Sequence, residues 1–307
     1  MKTAEKTKKF KIKFTILVVI FTVVFFGSFM LGRYPVSPPE LMKIILSGII
    51  DIPQSWPDAA ENVIFQIRLP RVLAAAIIGA ALSIAGVSYQ GMFQNPMVSP
   101  DILGASSGAG FGAALAILLG AGYMGISVAA FLFGLAAVML AYGISRVSRI
   151  NATLAGMMIG SLFTSCTSFV KLVADTEQTL PAITYWLMGS LVSIKPQDVA
   201  FAIVPIIAGS VPLFLLKWRM NLLTVGEEEA QAMGINTRAL RLVVIVCATL
   251  LTASSVAISG MIGWVGLVIP HFCRMIFGYD YRKIIPASAL FGATFLMVVD
   301  NIARLAT

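Results

Sequence analysis

The stretch FTILVVIFTVVFFGSFML, residues 14–31, contains no charged residue and no proline. A helix that crosses about 30 Å of hydrocarbon needs about 20 predominantly apolar residues, and this run meets that requirement. Its apolar residues are continuous, whereas the strands of a transmembrane barrel alternate apolar and polar residues over about 10 positions. The stretch therefore predicts a membrane-spanning helix and argues against a barrel.

The rest of the chain has the same character. It has 307 residues, of which 58% are hydrophobic and 12% charged, with a mean hydropathy of +0.91. Soluble domains carry about 25% charged residues, so a soluble globular protein is excluded. We predict an all-α polytopic membrane bundle that forms a single domain over residues 1–307. The predicted spans are 14–31, 70–93, 102–121, 125–144, 152–173, 199–216, 241–258, 262–277 and 285–303.

Basic residues predict the orientation of the bundle. No Ala-x-Ala cleavage site follows the first apolar run, so we interpret it as a retained helix. Cytoplasmic segments carry an excess of lysine and arginine, which predicts a cytoplasmic N-terminus in a multi-pass protein of the cytoplasmic (inner) membrane. The formal charge of +8 is scattered among the spans, so no nucleic-acid partner is predicted. The lysines ahead of the first span are Lys2, Lys6, Lys8, Lys9, Lys11 and Lys13.

The sequence lacks the residues that several other functions would require. Of the 14 acidic residues, only Asp300 lies inside a predicted span, which disfavours an ion-coupled secondary carrier. No G-x-x-x-x-G-K-[ST] motif is found, so ATP hydrolysis would have to come from a partner. The lone His271 and three cysteines without CxxC spacing suggest neither a metal site nor a catalytic set.

Glycines recur at every fourth position in the third predicted span. Gly104, Gly108 and Gly112 would share one helical face, and small residues at this spacing let two helix backbones approach closely in lipid. We therefore expect this face to pack against another helix. Incidental glycine content is the alternative explanation.

Six motifs, in order along the chain, resemble those of the FecCD-type permeases. These permeases are the membrane subunits of ABC importers for iron-siderophores, haem and vitamin B12. The motifs are RLPR (68–71), YQGMFQNPMVSPDILGASSGA (89–109), YWLMGS (185–190), GEEEAQAMG (226–234), GWVGLVIPH (263–271) and DNIAR (300–304).

The resemblance implies an importer that works by alternating access. Its partners would be a second permease copy or a paralogous permease, two cytoplasmic ATPase subunits and an extracytoplasmic binding protein. ATP and Mg²⁺ would be used by the ATPases, and this chain would bind no cofactor and catalyse no reaction. The favoured substrate is an iron-siderophore, the commonest class, while haem, cobalamin and other solutes stay open.

The resembling permeases have ten helices. The sequence stops soon after the segment that ends in Arg304, so we expect the bundle to lack the tenth helix. A truncated chain or a permease-like membrane scaffold that does not transport is therefore an alternative to the importer.

Arg68, Arg71 and Arg304 are the candidates for binding-protein docking. Arg68 and Arg71 lie three residues apart, and they share a face if a helix begins near Leu69, with Pro70 in its first turn. We expect both to point outward at the extracytoplasmic surface. By the resemblance, these arginines would receive carboxylates of the binding protein, which the guanidinium fork can bind through two parallel bonds. Anchoring at the membrane interface is the alternative.

The segment 217–238 is the longest connection on the predicted cytoplasmic side. Its centre can form about two helical turns, from Glu227 to Met233, before Gly234 ends them. By the resemblance, this short helix couples the permease to its ATPase, with Gly226, Ala230 and Gly234 allowing close contact. A charged surface helix without this role is the alternative.

The tripeptide Asn95-Pro96-Met97 should end the second span. Proline disfavours a helical conformation in the residue before it, so the chain should turn here. The resemblance makes this turn a cytoplasmic gate in which Asn95 and Met97 narrow the path. A turn without a gating role is the alternative.

Overall fold

The computed structural model describes residues 2–32, 34–47, 50, 53–148 and 150–306, without the side chains of residues 2–7 and 227. Helices are the only regular elements in these ranges, which confirms the all-α prediction. They are α1 (Lys2–Met30), α2 (Pro38–Ser47), α3 (Asp58–Asn62), a π-helical turn (Val63–Arg68), α4 (Leu69–Met92), α5 (Ala105–Leu118), α6 (Tyr123–Ser148), α7 (Ala152–Val173), α8 (Thr179–Met188), α9 (Pro196–Leu223), α10 (Glu227–Ala232), α11 (Thr237–Ser259), α12 (Val265–Phe277) and α13 (Tyr281–Ala306).

Seven helical segments in the described ranges are long and apolar enough to cross a membrane. The two other predicted spans, 102–121 and 262–277, are each only partly helical. Within them, α5 has 14 residues and α12 has 13, which rise only about 20 Å at 1.5 Å per residue. Each of these helices begins after a residue with a left-handed backbone, Gly104 at φ 81° and Trp264 at φ 68°. The apolar runs therefore include non-helical chain that hydropathy cannot tell from helix.

Contacts of α1 identify the two ends of the bundle. Near its start, Lys13 donates to the carbonyl of Ile276 in α12 at 2.8 Å. Near its finish, the carbonyl of Phe29 accepts from Arg68 at 2.5 Å. We call the end where α1 starts the lysine end and the opposite end the arginine end.

α4 lies at the centre of the bundle. In the segment Asp58–Met92, which includes α4, 78% of the residues in the most apolar 18-residue stretch are buried. In the corresponding stretch of α1, 17% are buried. Glycine permits this close packing, because a Cβ on Gly86 would overlap the carbonyl oxygen of Gly266 in α12. A Cβ on Gly79 would likewise overlap the carbonyl oxygen of Gly292 in α13. These contacts bring α12 and α13 against α4 at backbone distance.

Two of the three predicted packing glycines behave as expected. A Cβ on Gly108 or Gly112 would lie 2.5 Å from a carbonyl oxygen of α6, that of Phe133 or Ala129. Gly104 does not share their helical face, because it precedes α5 and adjoins Gly160 of α7. The four-residue spacing alone could not show that the helix begins after the first glycine.

Asp300 is not the only acidic residue within a long helix. α9 begins at Pro196, three residues before the predicted span, so Asp198 belongs to its first turn. Asp198 is 1% exposed, and its carboxylate accepts bonds from the backbone of Lys195 at 2.7 Å and the hydroxyl of Tyr123 at 2.8 Å. These contacts make it a helix cap.

Candidate functional site

An ion-pair cluster joins α4 to α13 at the arginine end. Arg71 Nε donates to both oxygens of Asp300, at 2.8 and 3.1 Å, and Arg71 Nη2 lies 2.8 Å from Oδ1. Arg304, one turn along α13, places its Nε 3.1 Å from Asp300 Oδ2 and donates through Nη2 to Asn301. Asn301 donates in turn to Ser28 of α1 at 2.8 Å. A single carboxylate thus organises two guanidinium groups from different helices.

Arg68 occupies a separate buried position close by. It ends the π-helical turn, is 4% exposed and donates at 2.5 Å to the carbonyls of Phe29 and Tyr34. Proline at position 70 does lie in the first turn of α4, as predicted. The expectation that Arg68 and Arg71 point outward is wrong, because carbonyl and carboxylate acceptors within the chain hold their guanidinium groups inside.

The cluster keeps surplus positive charge. The side chains of Arg71, Asp300 and Arg304 are 12%, 4% and 8% exposed. Nη1 of Arg304 is buried and has no hydrogen-bond partner among the described residues. Burial weakens solvent screening, so this end presents a positive potential that favours a carboxylate.

A non-helical segment, 93–104, follows α4 at the lysine end. Its first residues form the predicted turn, in which Asn95 Oδ1 accepts from the Met97 backbone at 2.9 Å. Asn95, Pro96 and Met97 are exposed, and Met97 is 74% exposed. The turn itself is confirmed, and its role as a gate stays a prediction. We call residues 94–97 the gate turn.

Buried polar side chains hold the segment that follows the gate turn. Gln90 of α4 donates to the carbonyl of Val98 at 3.0 Å and to that of Leu267 at 3.3 Å. Arg274 of α12, 8% exposed, donates to the other end of the Gln90 amide at 2.5 Å. Both residues lie inside predicted apolar spans, where a paired polar group secures a specific backbone arrangement.

The short helix predicted in the loop 217–238 is present as α10, Glu227–Ala232. Gly226 precedes it at φ 151°, and Gly234 follows at φ 81° with open space around it. Ala230 is fully buried against the bundle, which corrects the expectation that it offers close contact to a partner. Met233 is 52% exposed and does face outward, while the side chain of Glu227 lies outside the described part of the chain.

A cavity at the lysine end lies between Gln94 of the gate turn and Gly226, the residue before α10. Its volume is about 1160 Å³, and both Gln94 and Gly226 line it. Arg146, Arg238 and Arg241 also line it. Displacement of α10 would therefore change the shape of a cavity that the gate turn borders.

A stripe of hydroxyl groups on α7 was not predicted from the sequence. Its four members are exposed and recur at i, i+3, i+4 and i+7, so they share one helical face. The exposed residues of α9 across its middle, from Ile203 to Leu215, are apolar. The sequence shows the spacing of these hydroxyl residues, but it does not show that this face of α7 is exposed. The stripe consists of Ser161, Thr164, Ser165 and Ser168.

Comparisons with known proteins identify the family of the chain. The model of the FecCD transport family matches residues 19–307. The molybdate import system permease protein MolB of Haemophilus influenzae is 40% identical over 94% of this chain and 86% of its own length. The Fe(3+) dicitrate transport system permease protein FecC of Escherichia coli is 34% identical over the same shares.

A solved structure is similar over nearly the whole chain. It is described as an inward-facing conformation of a metal-chelate type ABC transporter. The TM-score is 0.86 at 39% identity, with 97% of this chain and 91% of that chain covered. The chain belongs to the FecCD transport family and is a multi-pass permease subunit of an ABC transporter, in which separate subunits hydrolyse ATP.

Proposed function

We propose that the chain forms the transmembrane path of an ATP-driven importer for a metal-containing solute. The hydroxyl stripe of α7 carries this proposal. Thr164, Ser165 and Ser168 each donate to the carbonyl four residues earlier in α7, at 2.8, 2.9 and 3.1 Å. Their oxygens can still accept hydrogen bonds, so this face suits a helix that lines a water-filled path or a partner subunit. Two copies of the permease, or a paralogous pair, would enclose the path between such faces and open it alternately to each side.

The lysine end would face the cytoplasm. The positive-inside rule favours this orientation because the start of α1 carries Lys8, Lys9, Lys11 and Lys13 beside Lys283 of α13. α10 and the gate turn then also face the cytoplasm. Two ATPase subunits, using ATP and Mg²⁺, would bind around α10 through its exposed residues such as Met233, and its movement would open or close the path at Asn95–Met97.

The arginine end would face the binding protein. A carboxylate of that protein would compete with Asp300 for Arg71, whose side chain is 12% exposed, or would need a rearrangement that uncovers the buried Nη1 of Arg304. Arg68, with both contacts directed to carbonyls of its own chain, would support the surface from behind. Docking would thus act on an existing ion-pair cluster, which links the arrival of the loaded binding protein to the packing of α4 on α13.

For the transported solute, an iron chelate of the siderophore type is our first candidate. Molybdate is the second, because MolB of Haemophilus influenzae is similar over 94% of this chain. Both are metal-containing solutes that a binding protein can present to a permease path.

Uptake into vesicles tests the proposal. The permease would be reconstituted with its ATPase and binding protein, and uptake of a ferric siderophore, haem, cobalamin and molybdate would be followed with and without ATP. ATP-dependent accumulation of one solute supports the importer, and the identity of that solute decides between the two candidates. Uptake driven by an ion gradient without ATP would indicate a secondary carrier. A stable assembly that carries none of the four would favour a scaffold that does not transport.

A further inference from the structure

Gln94 has a backbone conformation that needs an explanation. It follows α4 by two residues and has φ 51°, in the left-handed region. Among the described residues, Trp264 is the other non-glycine residue with positive φ. Such a conformation is strained for a residue with a side chain and persists only when its surroundings hold it.

A hydrogen bond to α9 supplies that hold. Gln94 Nε2 donates to the carbonyl of Leu223 at 2.6 Å. Leu223 is the last residue of α9, and the carbonyls of a last helical turn have no partner within their own helix. Gly226, three residues later, directly precedes α10. The gate turn is therefore bonded directly to the chain that leads into α10.

The same end of α9 is fastened to α13. Asn221 donates to Asp280 at 2.9 Å and accepts from the backbone of Tyr281 at 2.8 Å. A Cβ on Gly91 of α4 would lie only 2.7 Å from the Tyr281 ring, so the end of α4 rests on the start of α13. Residues 221–223 thus contact both the gate turn and the start of α13, the helix that packs against α4.

We propose that Gln94 is a positioning residue that transmits movement of α10 to the gate turn. The inference rests on the proposed function, in which the ATPases displace α10. When α10 pulls on residues 221–223, the bond from Gln94 to Leu223 is lost or shifted. Gln94 can then leave its left-handed conformation, and the turn that carries Asn95 and Met97 changes shape.

Two substitutions separate the hydrogen bond from the backbone conformation. Gln94→Leu removes the donor at a residue whose side chain disfavours the left-handed region. Gln94→Gly removes the donor in a residue that adopts positive φ freely. Gln197→Leu, at the exposed start of α9 on the other end of the bundle, is the matched control for glutamine replacement.

The measurements are solute transported per ATP hydrolysed and the rate of thiol labelling at Met97→Cys with and without ATP. We expect both Gln94 variants to keep ATP hydrolysis near that of the parent protein. The loss of one hydrogen bond should lower transport per ATP about five- to tenfold and abolish the effect of ATP on Met97→Cys labelling. The Gln197→Leu control should behave as the parent.

Each result bears on the inference. If Gln94→Leu does not fold, Gln94→Gly, which carries no strain, decides the question. Parent-like transport per ATP and ATP-dependent labelling in a folded variant would overturn the role of Gln94 and leave the importer intact. A parent complex without any ATP-dependent uptake would overturn the proposed function, and the inference with it.

Discussion

Asp300 holds Arg71 through bonds of 2.8 and 3.1 Å, although the two residues are 229 positions apart in the chain. This pair fastens α13 to α4 at the arginine end. At the lysine end, Tyr281 rests on Gly91. The antiparallel helices α4 and α13 are thus held together at both ends. An ion pair holds them at the arginine end, and the Tyr281 ring packs on Gly91 at the lysine end.

We predict that Asp300→Asn destabilises the bundle strongly. The substitution removes the carboxylate that compensates Arg71 and Arg304, and breaking a buried ion pair costs about 3–5 kcal/mol in the free energy of unfolding. Thermal unfolding of the purified permease in detergent would measure the loss. Glu177→Gln, at an exposed position, is the control and should leave the melting temperature unchanged. Equal melting temperatures for Asp300→Asn and the control would contradict the compensating role of Asp300.

We predict that Gly86→Ala disrupts packing whereas Gly143→Ala does not. A Cβ at position 86 meets the backbone of Gly266, which cannot move aside as a side chain can, and overpacking of this kind costs about 1–3 kcal/mol or more. Apart from its chain neighbours and the nearby backbone of its own helix, a Cβ at position 143 has no described atom within 4 Å. Alanine should improve helix propensity there by up to about 1 kcal/mol. Melting temperatures of the two variants give the comparison, and similar losses in both would refute the contact of α4 with α12.

We predict that the α7 stripe is reached by water in the assembled transporter. In a background without Cys166, Cys247 and Cys273, Ser165→Cys should react with a membrane-impermeant thiol reagent. Val204→Cys, on the apolar face of α9 and also exposed in the single chain, should not react. The thiolate is the reactive form, and lipid suppresses ionisation. Equal labelling of the two positions would remove the support that the stripe gives to a polar path.

The pH dependence of stability should include a contribution from Asp280, in the turn between α12 and α13. Burial acts to raise its pKa, but hydrogen bonds from Arg282 and Asn221 and the charge of Arg282 outweigh it and lower the pKa to about 2. An unfolded aspartate titrates near pKa 3.9, so the folded state gains stability above about pH 4. That gain is lost as the pH falls from about 4 through 2.

Asp280→Asn tests this contribution. The variant should show a smaller decline in melting temperature between pH 4 and pH 2 than the parent. Asp175→Asn is the control, since the Asp175 carboxylate accepts from the backbone of Glu177 and Gln178 and has no guanidinium among these partners. Parallel declines in the parent and in Asp280→Asn would refute the prediction.

Local patterns predicted those elements whose signals lie within a few residues. Pro96 predicted the turn that follows α4, because a proline acts on the residue directly before it. Gly234 predicted the end of α10 because glycine readily adopts the left-handed conformation that stops a helix. Continuous apolar runs predicted the long helices. They did not predict the bounds of α5 and α12, because the non-helical chain inside the bundle is equally apolar.

Long-range pairing could not be predicted in the same way. Arg68 and Arg71 are ordinary interfacial arginines in their own segment, and nothing near them indicates an acceptor in α13. One signal was available, since a lone acidic residue within a span requires a partner, and Asp300 therefore called for a cation. The bond from Gln94 to Leu223 had no such signal, because its acceptor is a backbone carbonyl.

The slight burial of α1 has a consequence for biogenesis. α1 is synthesised before α12 and α13, yet Lys13 bonds to Ile276 of α12 and Ser28 to Asn301 of α13. At about 5–20 residues per second, some 250 intervening residues take roughly 12–50 s to translate. During that interval α1 must stay inserted without its contacts to α12 and α13, and its apolar surface lets it remain in lipid until those helices arrive.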